Sequence, residues 1–178
     1  QAETFSKGKL WTPAHDLPDF FYHNNIAQYE GIIVSRFSPG WPLFLSAAFE
    51  VGIPAYLINP VLGFLTLIVF YFFSRYLYGT RVALWSLMAV ALTGFYVFNA
   101  ASFFSHTLSL LLTLLFVCNV YLYDKDRNFI YGLLAGFFLG FFAITNPFSA
   151  LFVFVPLLFY VLYRCRLKAL YLLLFMAI

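Results

Sequence analysis

From Trp41 onward the chain is a series of long apolar runs separated by short polar breaks. Before Trp41, polar and apolar residues are mixed and no apolar run exceeds a few residues. Five later runs approach the roughly 20 residues that a helix needs to cross a hydrocarbon core. They are Ala55–Arg75, Arg81–Phe98, His106–Tyr123, Phe129–Thr145 and Pro147–Tyr163, and Ala169–Ile178 begins a sixth. Ten helical residues rise only about 15 Å, half a hydrocarbon core. With a start at Gln1 inside a polar stretch, this gives the expectation that the chain is a piece of a longer protein. The runs are continuous rather than alternating, which argues against a membrane β-barrel.

Trp41–Val51 is apolar at helical spacing but too short to span, and it carries Glu50. Ser38-Pro39-Gly40 opens it and Gly52-Ile53-Pro54 closes it. The pattern predicts a re-entrant or interface-lying helix. The expected fold is therefore all-α, a polytopic helical membrane protein. Residues 1–54 form an outer loop with a juxtamembrane helix, and residues 55–178 form a transmembrane bundle.

Composition agrees. Of 178 residues, 63% are hydrophobic and 23% aromatic, while 10% are charged, against about 25% in soluble domains. A mean hydropathy of +0.89 is more apolar surface than a soluble fold of this size hides. The average conceals a split. Five of the seven acids, Glu3, Asp16, Asp19, Glu30 and Glu50, and two of the three histidines, His15 and His23, lie in the first 50 residues. That segment reads as a long polar connection on the membrane surface, and long connections are usually functional. Cys118 and Cys165 suggest neither a metal site nor a disulfide framework.

The net charge of +3 is small, but its distribution sets an orientation. Arg75 and Arg81 flank one loop, Lys125 and Arg127 occupy another, and Arg164, Arg166 and Lys168 follow the fifth run. The alternate connections, residues 99–105 and 145–149, carry no Lys or Arg. The positive-inside rule makes the basic loops cytoplasmic and residues 1–54 external.

Hydrogen-bonding side chains collect at the external ends of the runs: Asn59, Asn99, Ser102, Ser105, His106, Thr145 and Asn146. Polar groups in a membrane are costly and tend to mark function. Arg36 is the only Lys or Arg between Lys9 and Arg75. Its forked donors suit a phosphate, or the side chain snorkels to a lipid headgroup. His106 could position or protonate a reacting group, or simply sit at a helix start. Asn99 and Asn146 could bind hydroxyls or cap helix ends. The acids and histidines of the outer loop match no standard metal spacing. A divalent metal is possible but not indicated, and no basic patch of the nucleic-acid type is present.

Several stretches resemble the polyprenyl-phosphate-sugar-dependent glycosyltransferases of the GT-C fold. The likeness is greatest to bacterial relatives of dolichyl-phosphate-mannose protein mannosyltransferases and to the lipid A aminoarabinose transferase. The stretches are Ser35-Arg36-Phe37-Ser38-Pro39-Gly40-Trp41-Pro42-Leu43, Asn59-Pro60-Val61-Leu62-Gly63, Tyr78-Gly79-Thr80-Arg81-Val82-Ala83, Ser105-His106-Thr107-Leu108 and Ala143-Ile144-Thr145-Asn146-Pro147. Their order and spacing match across roughly residues 1–165.

The resemblance implies a GT-C-like bundle with a long first outer loop, in a bacterial inner (plasma) membrane. It also implies transfer of a sugar from an isoprenoid lipid carrier to a lipid, glycan or protein acceptor. The polyprenyl-phosphate sugar is then the donor substrate, and no further cofactor is called for. Arg36 falls where the family places a cation at the carrier phosphate. His106 falls at a polar position where relatives vary. Asn146 departs from the Arg or Lys usual before that Pro, and Ser38 replaces a frequent Pro. The family's acidic general base is expected upstream of Gln1. A transporter or flippase of a lipid-linked or sugar substrate is the alternative. It would show inverted repeats and broken helices at mid-depth, neither of which the apolar runs suggest.

Overall fold

The computed structural model describes residues 1–13, 26–29 and 31–165. The outer-loop residues Asp16, Asp19, His15, His23 and Glu30, the basic Arg166 and Lys168, and the sixth run lie outside them. The chain divides into two compact units, Gln1–Ile58 and Asn59–Ile178.

The first unit begins with the short helix α1 (Ala2–Ser6), followed by strands β1 (Thr12–Pro13), β2 (Ile26–Tyr29) and β3 (Ile32–Ser35). They form an antiparallel sheet in the order β1-β3-β2. Tyr29 pairs with Ile32, so only two residues connect β2 to β3, and Gly31 there takes φ 79°. A turn this tight needs positive φ, which glycine adopts without a steric penalty. Pro13 has no N–H to give, and it lies on an edge strand, where none is required. The segment expected as a polar outer loop thus carries a small sheet within an otherwise helical fold.

Helix α2 (Gly40–Glu50) follows, within a residue of the predicted bounds. Pro42 falls in its first turn, where the missing N–H would have no partner anyway. Its end is a Schellman motif. Gly52 takes φ 79° and donates to the Phe49 carbonyl at 2.9 Å, while Ile53 donates to the Ala48 carbonyl at 3.0 Å.

The remaining elements are all helices: α3 (Ala55–Tyr78), α4 (Thr80–Ala91), α5 (Gly94–Ala100), α6 (His106–Asp126), α7 (Phe129–Thr145) and α8 (Pro147–Cys165). The protein is thus an all-α, membrane-type fold with one small sheet. Among the described residues, α3 and α6 are long and apolar enough to cross a membrane, and α4 with α5 makes a third if counted as one span. Helices α7 and α8, as far as Tyr160, are apolar but shorter.

The run Arg81–Phe98, expected as one span, is corrected by the structure. It breaks after Ala91 and resumes at Gly94, with a bend of 68° between α4 and α5. Thr93 stands at the break in an extended conformation (ψ 121°), and its hydroxyl donates to the Ala89 carbonyl at 2.7 Å. A threonine that bonds back to the chain, followed by a glycine, favours interruption over continued helix.

Helix α6 is the centre of the second unit. Leu108, Leu112, Phe116 and Val120 are buried along it. Ala135, Leu139 and Phe142 of α7 are buried in turn. Gly132, Gly136 and Gly140 recur along α7 at four-residue steps, a spacing that lets a neighbouring helix approach closely. A Cβ on Gly132 would lie 3.4 Å from the Tyr123 ring, but one on Gly140 would meet nothing. The ring contact is thus present at Gly132 and absent at Gly140. A tighter one occurs between α3 and α5, where a Cβ on Gly63 would come within 3.0 Å of the Ala100 methyl.

Candidate functional site

Three of the four sequence candidates line one cavity of about 360 Å³. Helix α5 contributes Asn99 together with Phe95 and Tyr96. Helix α6 contributes His106, Ser109 and Thr113, and α8 contributes Ser149 and Val153 from just beyond Asn146. Phe142 of α7, only 1% exposed, also lines it. Arg36 belongs to the first unit.

The chain holds these groups for identifiable reasons. Asn59 on α3 fixes the loop between α5 and α6, because its Nδ2 donates to the carbonyls of Ser102 and, at 2.9 Å, of Phe104. That loop delivers His106 to the first position of α6, exposed at the rim, with its ring 5.9 Å from that of Phe104. Asn99 is buried. Its Nδ2 donates to the Phe95 carbonyl at 2.8 Å, and its own carbonyl accepts from the Thr107 and Ser102 hydroxyls at 2.9 Å. Asn146 stands at the α7–α8 junction, where its Oδ1 accepts from the Ser149 N–H at 3.3 Å. It thereby caps α8, with Pro147 in the first helical position, the arrangement such helix starts favour.

Tyr96 donates from its hydroxyl to the Gly63 carbonyl at 2.6 Å, tying the wall of the cavity to α3. Thr113 donates to the Ser109 carbonyl at 2.8 Å. Among the described residues lining the cavity there is no Lys, Arg, Asp or Glu. It can therefore hold uncharged groups by hydrogen bonds and apolar contact, and its described lining includes no permanently charged side chain.

Ser109 and Thr113 were not singled out in the sequence, because they sit inside a long apolar run. Their signal was periodicity: residues 106, 109 and 113 share one face of α6 at three- and four-residue steps. The buried Asn119 farther along α6 was hidden in the same way. It bonds to the Leu115 carbonyl at 2.7 Å and is satisfied within its own helix.

Arg36 is exposed and follows β3 directly. The Ser35 hydroxyl accepts from the Phe37 N–H at 3.1 Å, which fixes the backbone on either side of it as the chain turns toward α2. The first unit also has a cavity of about 390 Å³, lined among others by Thr4, Thr12, Ser35 and Phe37 but not by Arg36. Among the described residues no three His, Cys, Asp or Glu side chains gather to hold a metal ion.

Comparison with known protein families, characterised proteins and solved structures gives no match to this chain.

Proposed function

We propose that the protein is a membrane glycosyltransferase. In this reading it takes a sugar from a polyprenyl-phosphate carrier on the outer face of the membrane and passes it to a lipid, glycan or protein acceptor. The observation that carries the reading is the convergence of Asn99, His106 and Asn146, from three separate elements, on one uncharged cavity. The cavity lies at the His106 end of α6, and the basic residues Lys125 and Arg127 lie at the other. By the positive-inside rule the cavity then opens outward. The ordered stretches that resemble the GT-C family support the same reading.

The chemistry asks for little beyond placement. An acceptor oxygen attacks the anomeric carbon, the bond from that carbon to the phosphate oxygen breaks, and the carrier phosphate leaves with its electron pair. A cation steadies that phosphate, the role assigned to Arg36. A base takes the acceptor proton. The described cavity lining offers no carboxylate for this, so the base comes from elsewhere in the protein.

In proteoliposomes of the full-length protein loaded with a labelled polyprenyl-phosphate sugar, Arg36→Ala is expected to lower transfer by about 100-fold or more. Expression and folding should remain normal. Unchanged transfer would remove Arg36 from the mechanism. The transporter or flippase reading draws on one feature, the 68° break between α4 and α5, since transporters use interrupted helices. It predicts movement of the lipid-linked sugar across the bilayer with no covalent product.

A further inference from the structure

We propose that His106 holds the phosphate of the carrier-linked sugar, pairing with it as an imidazolium at the mouth of the cavity while the sugar lies inside. The inference rests on the reading of this cavity as the donor-sugar site, but not on the transfer reaction itself. It begins from depth. Asn99, Thr107 and Phe142 line the cavity and are buried. Phe95 and His106 line it and are exposed. The lining thus runs from a closed, uncharged interior to an open edge, and His106 stands at that edge.

A donor of the proposed kind has two parts with opposite needs. Its sugar is uncharged, with apolar and hydroxyl-bearing surfaces that suit aromatic walls and neutral polar groups. The phosphate that links the sugar to its carrier is anionic. Drawn into an interior without Lys or Arg, it would lose its hydration with nothing to replace it. At the mouth it keeps contact with water and comes within reach of the edge residues, of which His106 can become a cation.

The groups around His106 leave that role to it. In the described lining Tyr96 of α5 is the one other titratable side chain, and its hydroxyl is bound to the Gly63 carbonyl. Helix α7 contributes Phe142, and the α7–α8 junction and α8 contribute Asn146, Ser149 and Val153. The preceding loop places the Phe104 ring 5.9 Å from that of His106. No acid among them competes with a phosphate for an imidazolium. Histidine is the side-chain type that changes charge near neutral pH, whereas a phosphodiester keeps its negative charge there. The imidazole takes a proton from water as the phosphate binds, and an N–H donor on a cation makes the stronger bond to an anionic oxygen. Binding therefore takes up a proton, so affinity for the phosphate-linked sugar rises as pH falls. A neutral glycoside has no such dependence.

The test uses full-length protein in nanodiscs of zwitterionic phosphatidylcholine, with a panel of octyl hexosides and the matching octyl hexosyl phosphodiesters. At least one pair is expected to bind saturably. Its diester should bind about tenfold more tightly at about pH 5.5 than at about pH 8, and its neutral hexoside should show no such change. His106→Gln should still bind the hexoside saturably, with a diester affinity that no longer responds to pH. His106→Lys should keep the tight diester affinity up to about pH 8. A diester affinity independent of pH in the wild type, the same pH response from the neutral hexoside, or a response retained in His106→Gln would each overturn the proposal. If no pair binds, the proposal falls together with the reading of the cavity as the sugar site. If transfer proceeds in proteoliposomes while the pH response is absent, this inference alone fails. If the response is present and no sugar is transferred, the glycosyltransferase reading fails and this inference stands.

Discussion

The two ends of α6 treat polarity in opposite ways. At its C-terminal end the groups are charged, with Lys125 and Arg127 exposed and Asp124 half-buried, and each is bound to a neighbour. Asp124 meets Arg127 at 3.0 Å and accepts from the Tyr160 hydroxyl of α8 at 3.3 Å. Lys125 donates to the Tyr76 hydroxyl and lies 4.6 Å from the centre of that ring. Arg127 takes a left-handed turn, φ 54°, and Asn128 caps α7 by accepting from the Ile130 N–H at 3.0 Å. At the N-terminal end the groups are neutral and largely buried. Most are spent on backbone carbonyls, and among the described residues two buried atoms, Asn59 Oδ1 and Ser109 Oγ, meet no partner. The first end closes on itself and holds three helices together. The second leaves a cavity and an unsatisfied donor. Helix α6 has 21 residues, which separates the two ends by about 31 Å, the thickness of a hydrocarbon core.

Three substitutions sharpen this contrast. The largest effect is expected at Phe142, 1% exposed beneath the cavity. Phe142→Ala should destabilise the protein by about 3–5 kcal/mol in reversible unfolding and abolish hexoside binding. Phe152→Ala on α8, at a residue 77% exposed, should do neither. Next is Asn59→Ala, which frees the Ser102 and Phe104 carbonyls. A loss of about 1–2 kcal/mol is expected, with faster hydrogen exchange confined to residues 101–105. Exchange spread evenly along α6 would show that Asn59 does not anchor this loop. The smallest effect belongs to the charged end. Asp124→Ala removes an ion pair to an exposed Arg127 and a long bond to Tyr160, and should cost at most about 1 kcal/mol. Hexoside affinity should stay unchanged. If Asp124→Ala weakened hexoside binding, the two ends would not be independent.

The helices were legible where the chain marks its breaks with residues that cannot continue a helix or that cap one. Gly79, with φ 85°, separates α3 from α4, while Asn128 and Asn146-Pro147 bound α7. The break at Thr93 was not legible, since one threonine and one glycine inside an apolar run barely change its hydropathy while the backbone conformation changes completely. The small sheet escaped for a different reason. Strands of two and four residues are too short to show alternation, although Ile32-Ile33-Val34 after Gly31 carried the β-branched signal. In the candidate site, Asn99, His106 and Asn146 could be read because they interrupt the ends of apolar runs. Ser109 could not be read in the same way, because it sits inside a long apolar run.

The central claim is that the neutral end of α6 receives the lipid-linked sugar. It is tested most directly by photocrosslinking full-length protein in liposomes with a polyprenyl-phosphate sugar that carries a photoreactive group on the sugar. Peptide mapping should place the label within residues 95–113 and 146–153, and an excess of unmodified donor should abolish it. Label concentrated in residues 124–128, or spread without regard to competition, would contradict the account.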